Sequence, residues 1–166
     1  LDEMYPEPPL RPFTDAGRAE VHEWLKLATR NHVKAVKTWI YANKMRGALR
    51  MTDEAREEYR RLQTNPELLE FHAKASSEEG FSPEDVVAAG NLLAEIYGRM
   101  EAALSKGNWL VGDWFGLADI TWAPVHFTLL GANFDMEPYP NVRRWYDAVR
   151  ERECFREGVT KWCPVF

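Results

Sequence analysis

Histidine, cysteine and one well-placed aspartate are the side chains of this chain with the chemistry for catalysis or ligation, and their spacing decides what they can do. The four histidines, His22, His32, His72 and His126, fall at no metal-ligand spacing, so no metal site is expected. Cys154 and Cys163 lie nine residues apart near the carboxyl end. That fits neither a CxxC redox pair nor a zinc ligand set, and two cysteines are too few for a disulfide scaffold. Only Lys161 stands near enough in sequence to favour a thiolate at Cys163, which is a weak signal. The chain holds no GxGxxG, no GxxxxGKS/T, no GxSxG and no HExxH. Dinucleotide cradling, the phosphate loop, the serine elbow and the zinc hydrolase helix therefore have no sequence support, and no catalytic residue is assigned.

What remains are candidates for binding and for structure. His32 completes the apolar stripe of a long helical pattern, and His126 lies within a nearly all-apolar one. A buried, hydrogen-bonded imidazole is the ordinary reading of both, and contact with a ligand is the alternative. Trp39 and Trp122 read first as core packing, although large aromatic residues also line apolar pockets between helices. Asp119 stands three residues after Gly116, where its carboxylate can accept the backbone N–H of the cap, with Phe115 and Ile120 at the positions of a hydrophobic staple. This makes Asp119 a structural carboxylate rather than a catalytic acid.

The elements that position these residues are helices. Asp15 as a cap opens a helix expected over 15–45, whose residues Val21, Trp24, Leu25, Ala28, Ala35, Val36, Trp39 and Ile40 recur at three and four. The tract 52–61 alternates carboxylates and arginines around Tyr59, as on a mostly solvated helix. Asn65-Pro66-Glu67 is a start signal for a short helix to about residue 75. Ser82-Pro83-Glu84-Asp85 is a second start, followed by the stripe Val86, Ala89, Leu93, Ile96, Tyr97, Met100 and Leu104, with Gly107 expected as a left-handed stop. An apolar helix over 117–130 and another opened by Pro140, with Val142, Trp145, Tyr146 and Val149 inward, complete the pattern. No strand pattern or repeat appears, so the class is all-α.

Composition bounds the function. With 166 residues and 45% apolar content the chain can bury a sizeable core. A net charge of −5 lacks the basic excess of a nucleic-acid-binding protein, so no nucleic-acid partner is expected. The longest apolar stretch, 117–131, is interrupted by Asp119, Thr121, Pro124 and His126 and is too short to cross a bilayer, so no membrane partner is expected. The first ten residues are acidic and proline-rich and lack the pattern of a secretory signal, which with the cysteine usage suggests a reducing, cytoplasmic setting. Pro6, Pro8, Pro9 and Pro12 stiffen that segment into a linker, and the absence of an initial Met suggests a processed chain or a fragment.

The segment Trp109-Leu-Val-Gly-Asp-Trp-Phe-Gly-Leu-Ala-Asp-Ile120 resembles the turn into the central helix of the carboxyl-terminal domain of cytosolic glutathione transferases, Gly-Asp-x-x-Ser/Thr-x-Ala-Asp, with Gly116 where Ser or Thr is usual. Tyr139-Pro-Asn-Val-Arg-Arg-Trp145 resembles the start of the family's next helix, and residues 1–10 resemble the end of its thioredoxin-like domain and linker. Residues 46–81, with Arg61-Leu-Gln-Thr-Asn-Pro-Glu-Leu-Leu69, resemble more loosely the helical insertion of the subgroup that contains tetrachlorohydroquinone dehalogenase and the ganglioside-induced differentiation-associated proteins.

The resemblance implies a fold, a helical bundle of the glutathione transferase carboxyl-terminal type with a charged insertion over 46–81. It also implies an organisation, 1–13 as linker and the end of a missing thioredoxin-like domain, and 14–166 as the helical domain. Glutathione would be a co-substrate held mainly by the missing domain, which would also supply the thiol-activating residue. The helical domain would supply the wall for a hydrophobic electrophile, carried over to Asn31, His32, Ala35 and Trp39 on one side and Trp122 and His126 on the other. Some bacterial members carry a His-Lys pair reaching glutathione, and His32 and Lys34 lie in the matching region with Val33 between them. The full-length protein would be a homodimer. A non-catalytic interaction module, as in translation factors and aminoacyl-tRNA synthetases, is the alternative that the same fold allows.

Overall fold

The computed structural model describes Met4 and residues 6–163; the expected linker falls partly, at residues 1–3 and 5, outside them. The elements in chain order are α1 (Asp15–Asn31), a first π-helical segment (His32–Lys37), α2 (Thr38–Asn43), α3 (Asp53–Leu62), α4 (Pro66–Ala75), α5 (Pro83–Leu104), α6 (Leu117–Gly131), α7 (Pro140–Arg150), α8 (Glu153–Phe155) and a second π-helical segment (Arg156–Thr160). There is no strand among the described residues, and the protein is all-α. The chain divides into two compact units: residues up to Arg30 together with those from Ala94 onward, and Asn31–Leu93.

The first unit is built around α6. Trp122 and Leu129 are completely buried, as are Leu104 on α5 and Val142 and Val149 on α7. Its buried carboxylate is Asp119, which has no exposed surface. One carboxylate oxygen accepts the Leu110 N–H at 3.0 Å and the Trp145 indole N–H at 2.8 Å, and the other accepts the Gly116 N–H at 3.0 Å. The cap contact expected from sequence is therefore present, with two donors added from outside the local segment. Burial raises the Asp119 pKa, and the three donors pull the other way.

Gly116 has no side chain to offer the helix, and its place is taken from a distance. The Leu10 carbonyl accepts the Leu117 N–H at 3.0 Å, and a Cβ built on Gly116 would lie 2.8 Å from that same oxygen. Glycine is needed here for close approach, since its φ of −136° is open to any residue. Ile120 is 39% exposed, so the expected staple does not bury it; Phe115 packs edge-on against Trp109 at 5.4 Å with the Arg152 guanidinium over its face at 4.1 Å.

Three helix ends correct the sequence reading. Thr14, not Asp15, caps α1, its hydroxyl accepting the Gly17 N–H at 3.1 Å, and Asp15 is the first helical residue. The helix expected over 15–45 keeps a helical path but passes through the π-helical segment and ends at Asn43. α5 ends at Leu104, and Gly107 is not among the glycines with positive φ. Its carbonyl instead accepts from Arg144 at 2.9 Å.

The second unit contains α3 and α4 and the first part of α5. Thr52 caps α3 and Asn65 caps α4, with Pro66 at the first helical position. Ser82 and Asp85 form a reciprocal capping box at 3.1 and 3.2 Å. α3 buries no residue, as its charge alternation predicted.

Candidate functional site

The second unit carries a groove of about 550 Å³, and the π-helical segment shapes one side of it. A π turn accommodates one more residue than an α turn, and such turns recur at functional sites. Here the Thr38 N–H reaches back to the Val33 carbonyl, as does the Thr38 hydroxyl at 3.0 Å. Ala35 and Val36 are thereby buried next to each other, while Val33, Lys34 and Thr38 face the groove.

Pro66 and Phe71, from α4, Phe81, from the turn before α5, and Ala88 and Leu92, on α5, supply its other apolar surface. Across the opening, Lys74 joins α4 to α5 by pairing with Asp85 at 2.8 Å and Glu70 at 3.1 Å. The hydrogen bond from Lys74 holds the Asp85 pKa below the ordinary value, and that to Asp85 holds the Lys74 pKa above it. Lys34 stands 4.0 Å from Glu67, and the Lys37 ammonium lies 4.6 Å above the Phe71 ring. Aromatic and aliphatic walls under a charged rim can enclose and orient an apolar ring. The only hydroxyl on the wall, that of Thr38, is spent on a carbonyl, and no cysteine, serine or histidine lines the groove.

Of the residues expected from this helix, Ala35 is buried beneath the surface, and Asn31, His32 and Trp39 lie on the same segment without lining the groove. Desolvation and the nearby Lys37 hold the pKa of the otherwise exposed His32 below that of a free imidazole. The Trp39 ring packs on α5 where Gly90 leaves room; a Cβ there would meet it at 3.0 Å. The lining residues Val33, Lys34 and Thr38 are sequence neighbours of these four.

The two residues expected on α6 are core residues of the first unit. The Trp122 indole N–H donates to the Trp24 carbonyl at 3.2 Å, and its ring meets that of Trp24 edge-on at 6.3 Å. His126 is 1% exposed, with Nδ1 3.1 Å from the Tyr97 hydroxyl and its ring 4.3 Å from that of Tyr146. Burial lowers its pKa to about 3, so the ring is neutral at physiological pH. This is the ordinary structural role weighed for it in the sequence. Among the described residues no three His, Cys, Asp or Glu side chains converge as metal ligands, Cys154 and Cys163 are free thiols, and no helix is long and apolar enough to cross a membrane.

The family model described as "Glutathione S-transferase, C-terminal domain" matches residues 66–153, more than half of the chain. The chain belongs to that family. This glutathione S-transferase C-terminal domain is 36% identical over 64 residues to glutathione S-transferase GstB of Escherichia coli K12, a match covering 39% of the chain and 31% of the relative. It is 27% identical to protein LigF of a Sphingobium strain over 97% of the chain and 66% of that protein. Among solved structures, that of the beta-etherase LigF from Sphingobium superposes with a TM-score of 0.79 at 26% identity, covering 97% of this chain and 70% of the other. A glutathione S-transferase from Rhodospirillum rubrum shares the fold, with a TM-score of 0.68 at 20% identity, over 99% of this chain and 63% of the other. The matched stretch thus spans about a third of the E. coli relative and under two thirds of the R. rubrum protein.

Proposed function

We propose that this chain is the helical half of a glutathione-dependent enzyme, enclosing an apolar electrophile while a thioredoxin-like domain, joined through residues 1–13, holds glutathione and lowers the pKa of its thiol. The likeness to LigF over 97% of the chain carries this reading. That protein is named a beta-etherase, and displacement at a carbon bearing an ether oxygen belongs to the same reaction class as conjugation: the thiolate forms a C–S bond as the C–O bond breaks, and the departing oxygen takes a proton. An activated aryl ether is therefore the first substrate class to try, and a chlorinated aromatic the second.

In this reading the groove of the second unit contributes enclosure and orientation, which lower the entropy cost of the encounter, and not a nucleophile. Val33, Phe71, Phe81 and Leu92 are its apolar contacts. Asn31, His32, Ala35 and Trp39 support the same segment, and Trp122 and His126 hold α6 from within. The whole protein is proposed to be a cytoplasmic homodimer, associating through its long helices, that detoxifies electrophiles.

The test uses the natural full-length polypeptide with glutathione and either an aryl ether or a chlorinated aromatic, with the thioether product followed by mass spectrometry. The full-length protein is expected to form the adduct, the 166-residue chain alone is expected not to, and Phe81→Ala is expected to raise KM more than it lowers kcat. Upstream sequence without a thioredoxin-like pattern, or a full-length protein that forms no adduct from either class, overturns the proposal in favour of a non-catalytic interaction module.

A further inference from the structure

A second groove, of about 530 Å³, lies wholly within the first unit and has a different character. Arg143, Arg144 and Arg150 of α7 line it with a single carboxylate, that of Asp147, leaving two net positive charges on this wall of a chain whose overall charge is −5. The three arginines are differently engaged. Arg144 is held by the carbonyls of Leu104 and Gly107 at 2.6 and 2.9 Å and by the Asn141 side chain at 2.8 Å. Arg150 pairs with Asp147 at 3.2 Å. Arg143 has no side-chain hydrogen bond or ion pair among the described residues, and the same is true of the Tyr146 hydroxyl.

Beneath these polar groups the surface is apolar and aromatic. Met136 and the Tyr146 ring line it, and His126, neutral and tied to Tyr97, closes the floor. The Tyr146 ring is fixed by neighbours on two sides, His126 at 4.3 Å and Phe155 at 5.9 Å. The helix terminus itself is already occupied, because Glu101 takes the N–H groups of Asn141 and Val142. An anion here would therefore meet guanidinium and hydroxyl donors rather than the helix end.

We propose that this groove binds a small aromatic carboxylate, with the ring against Met136 and Tyr146 and the carboxylate on Arg143 and the Tyr146 hydroxyl, Arg150 adding charge from the rim. A planar guanidinium free of other partners suits a carboxylate bidentately. An aliphatic or neutral aromatic ligand would use only half of the site.

The experiment titrates the isotopically labelled 166-residue chain with 2-naphthoate and, in parallel, with 2-naphthamide, its uncharged isostere. Amide and methyl resonances are followed. The carboxylate is expected to saturate with a Kd of about 1 mM or tighter, shifting Met136, Arg143 and Tyr146, and the amide is expected to bind about ten-fold more weakly. Arg143→Ala and Tyr146→Phe should each weaken the carboxylate several-fold and leave the amide unchanged. Arg143 is exposed, so its variant should keep the parent spectrum elsewhere. Equal binding of the two ligands, shifts confined to the groove of the second unit, or unchanged affinity in Arg143→Ala would overturn the proposal.

Discussion

The Glu101 carboxylate on α5 caps a helix to which it does not belong, accepting both the backbone N–H of Asn141 at 3.0 Å and its side-chain amide at 2.6 Å. Its other oxygen takes the Val142 N–H at 3.0 Å. Tyr139, at the cap position of α7, supplies no side-chain acceptor, so Glu101 does what a local Ser or Asp does elsewhere. A charged acceptor on several donors at the positive end of a helix contributes about 2–3 kcal/mol. Glu101→Ala should lose about that much in chemical denaturation, and Glu101→Gln roughly half. Wild-type stability in both variants would remove the capping role.

Asp119→Ala should be costlier. It strands three donors, two of them backbone and one the Trp145 indole, in a fully buried site. Each unsatisfied donor costs about 1–3 kcal/mol, so a loss of about 3–5 kcal/mol is expected, with a changed Trp emission in whatever remains folded. Asp119→Asn keeps one acceptor and should fall between. A loss under about 1 kcal/mol in the alanine variant would contradict the burial and bonding described here.

Acid should destabilise the fold through His126. The folded imidazole takes a proton only near pH 3, whereas the unfolded one does so near 6.5, so between these values the unfolded state binds more protons. The contribution is full above pH 6.5 and is lost as pH falls toward 3. At pH 4.5 the loss amounts to about 2.5 kcal/mol. His32 and His72 are shifted in the same direction, so the diagnostic quantity is the difference between the parent and His126→Gln in urea titrations across this range. A difference that does not change with pH would rule the histidine out.

Gly116→Ser tests why glycine replaces the hydroxyl residue usual in the resembling motif. The new oxygen could cap α6, yet its Cβ would stand 2.8 Å from the Leu10 carbonyl oxygen, a backbone atom that cannot swing away. The collision should outweigh the cap and destabilise by about 1–3 kcal/mol, with faster exchange of the Leu117 amide. A more stable variant would show that the linker yields readily.

What the sequence disclosed was local. The starts of α4 and α5 were legible because Asn65, Ser82 and Asp85 bond within three residues of themselves. The groove was less so: Val33, Lys34 and Thr38 lie in and beside a π turn, and nothing in the apolar periodicity marks where a helix takes in an extra residue. The role of Glu101 is not legible for a related reason, since its partners on α7 are about forty positions away. His126 shows the opposite case, for an imidazole in an apolar stripe is legible as core, and it is the Tyr97 hydroxyl that satisfies it.

The bond between the Leu10 carbonyl and the Leu117 N–H also bears on the order of assembly. A serine cap forms as soon as its own turn does, whereas this one requires two segments separated by most of the chain to meet, and the closure entropy of that large loop must be met first. The start of α6 should therefore gain protection late in refolding, after the middle of the same helix. A substitution that loosens the proline-rich segment should chiefly speed unfolding, leaving the folding rate nearly as it was.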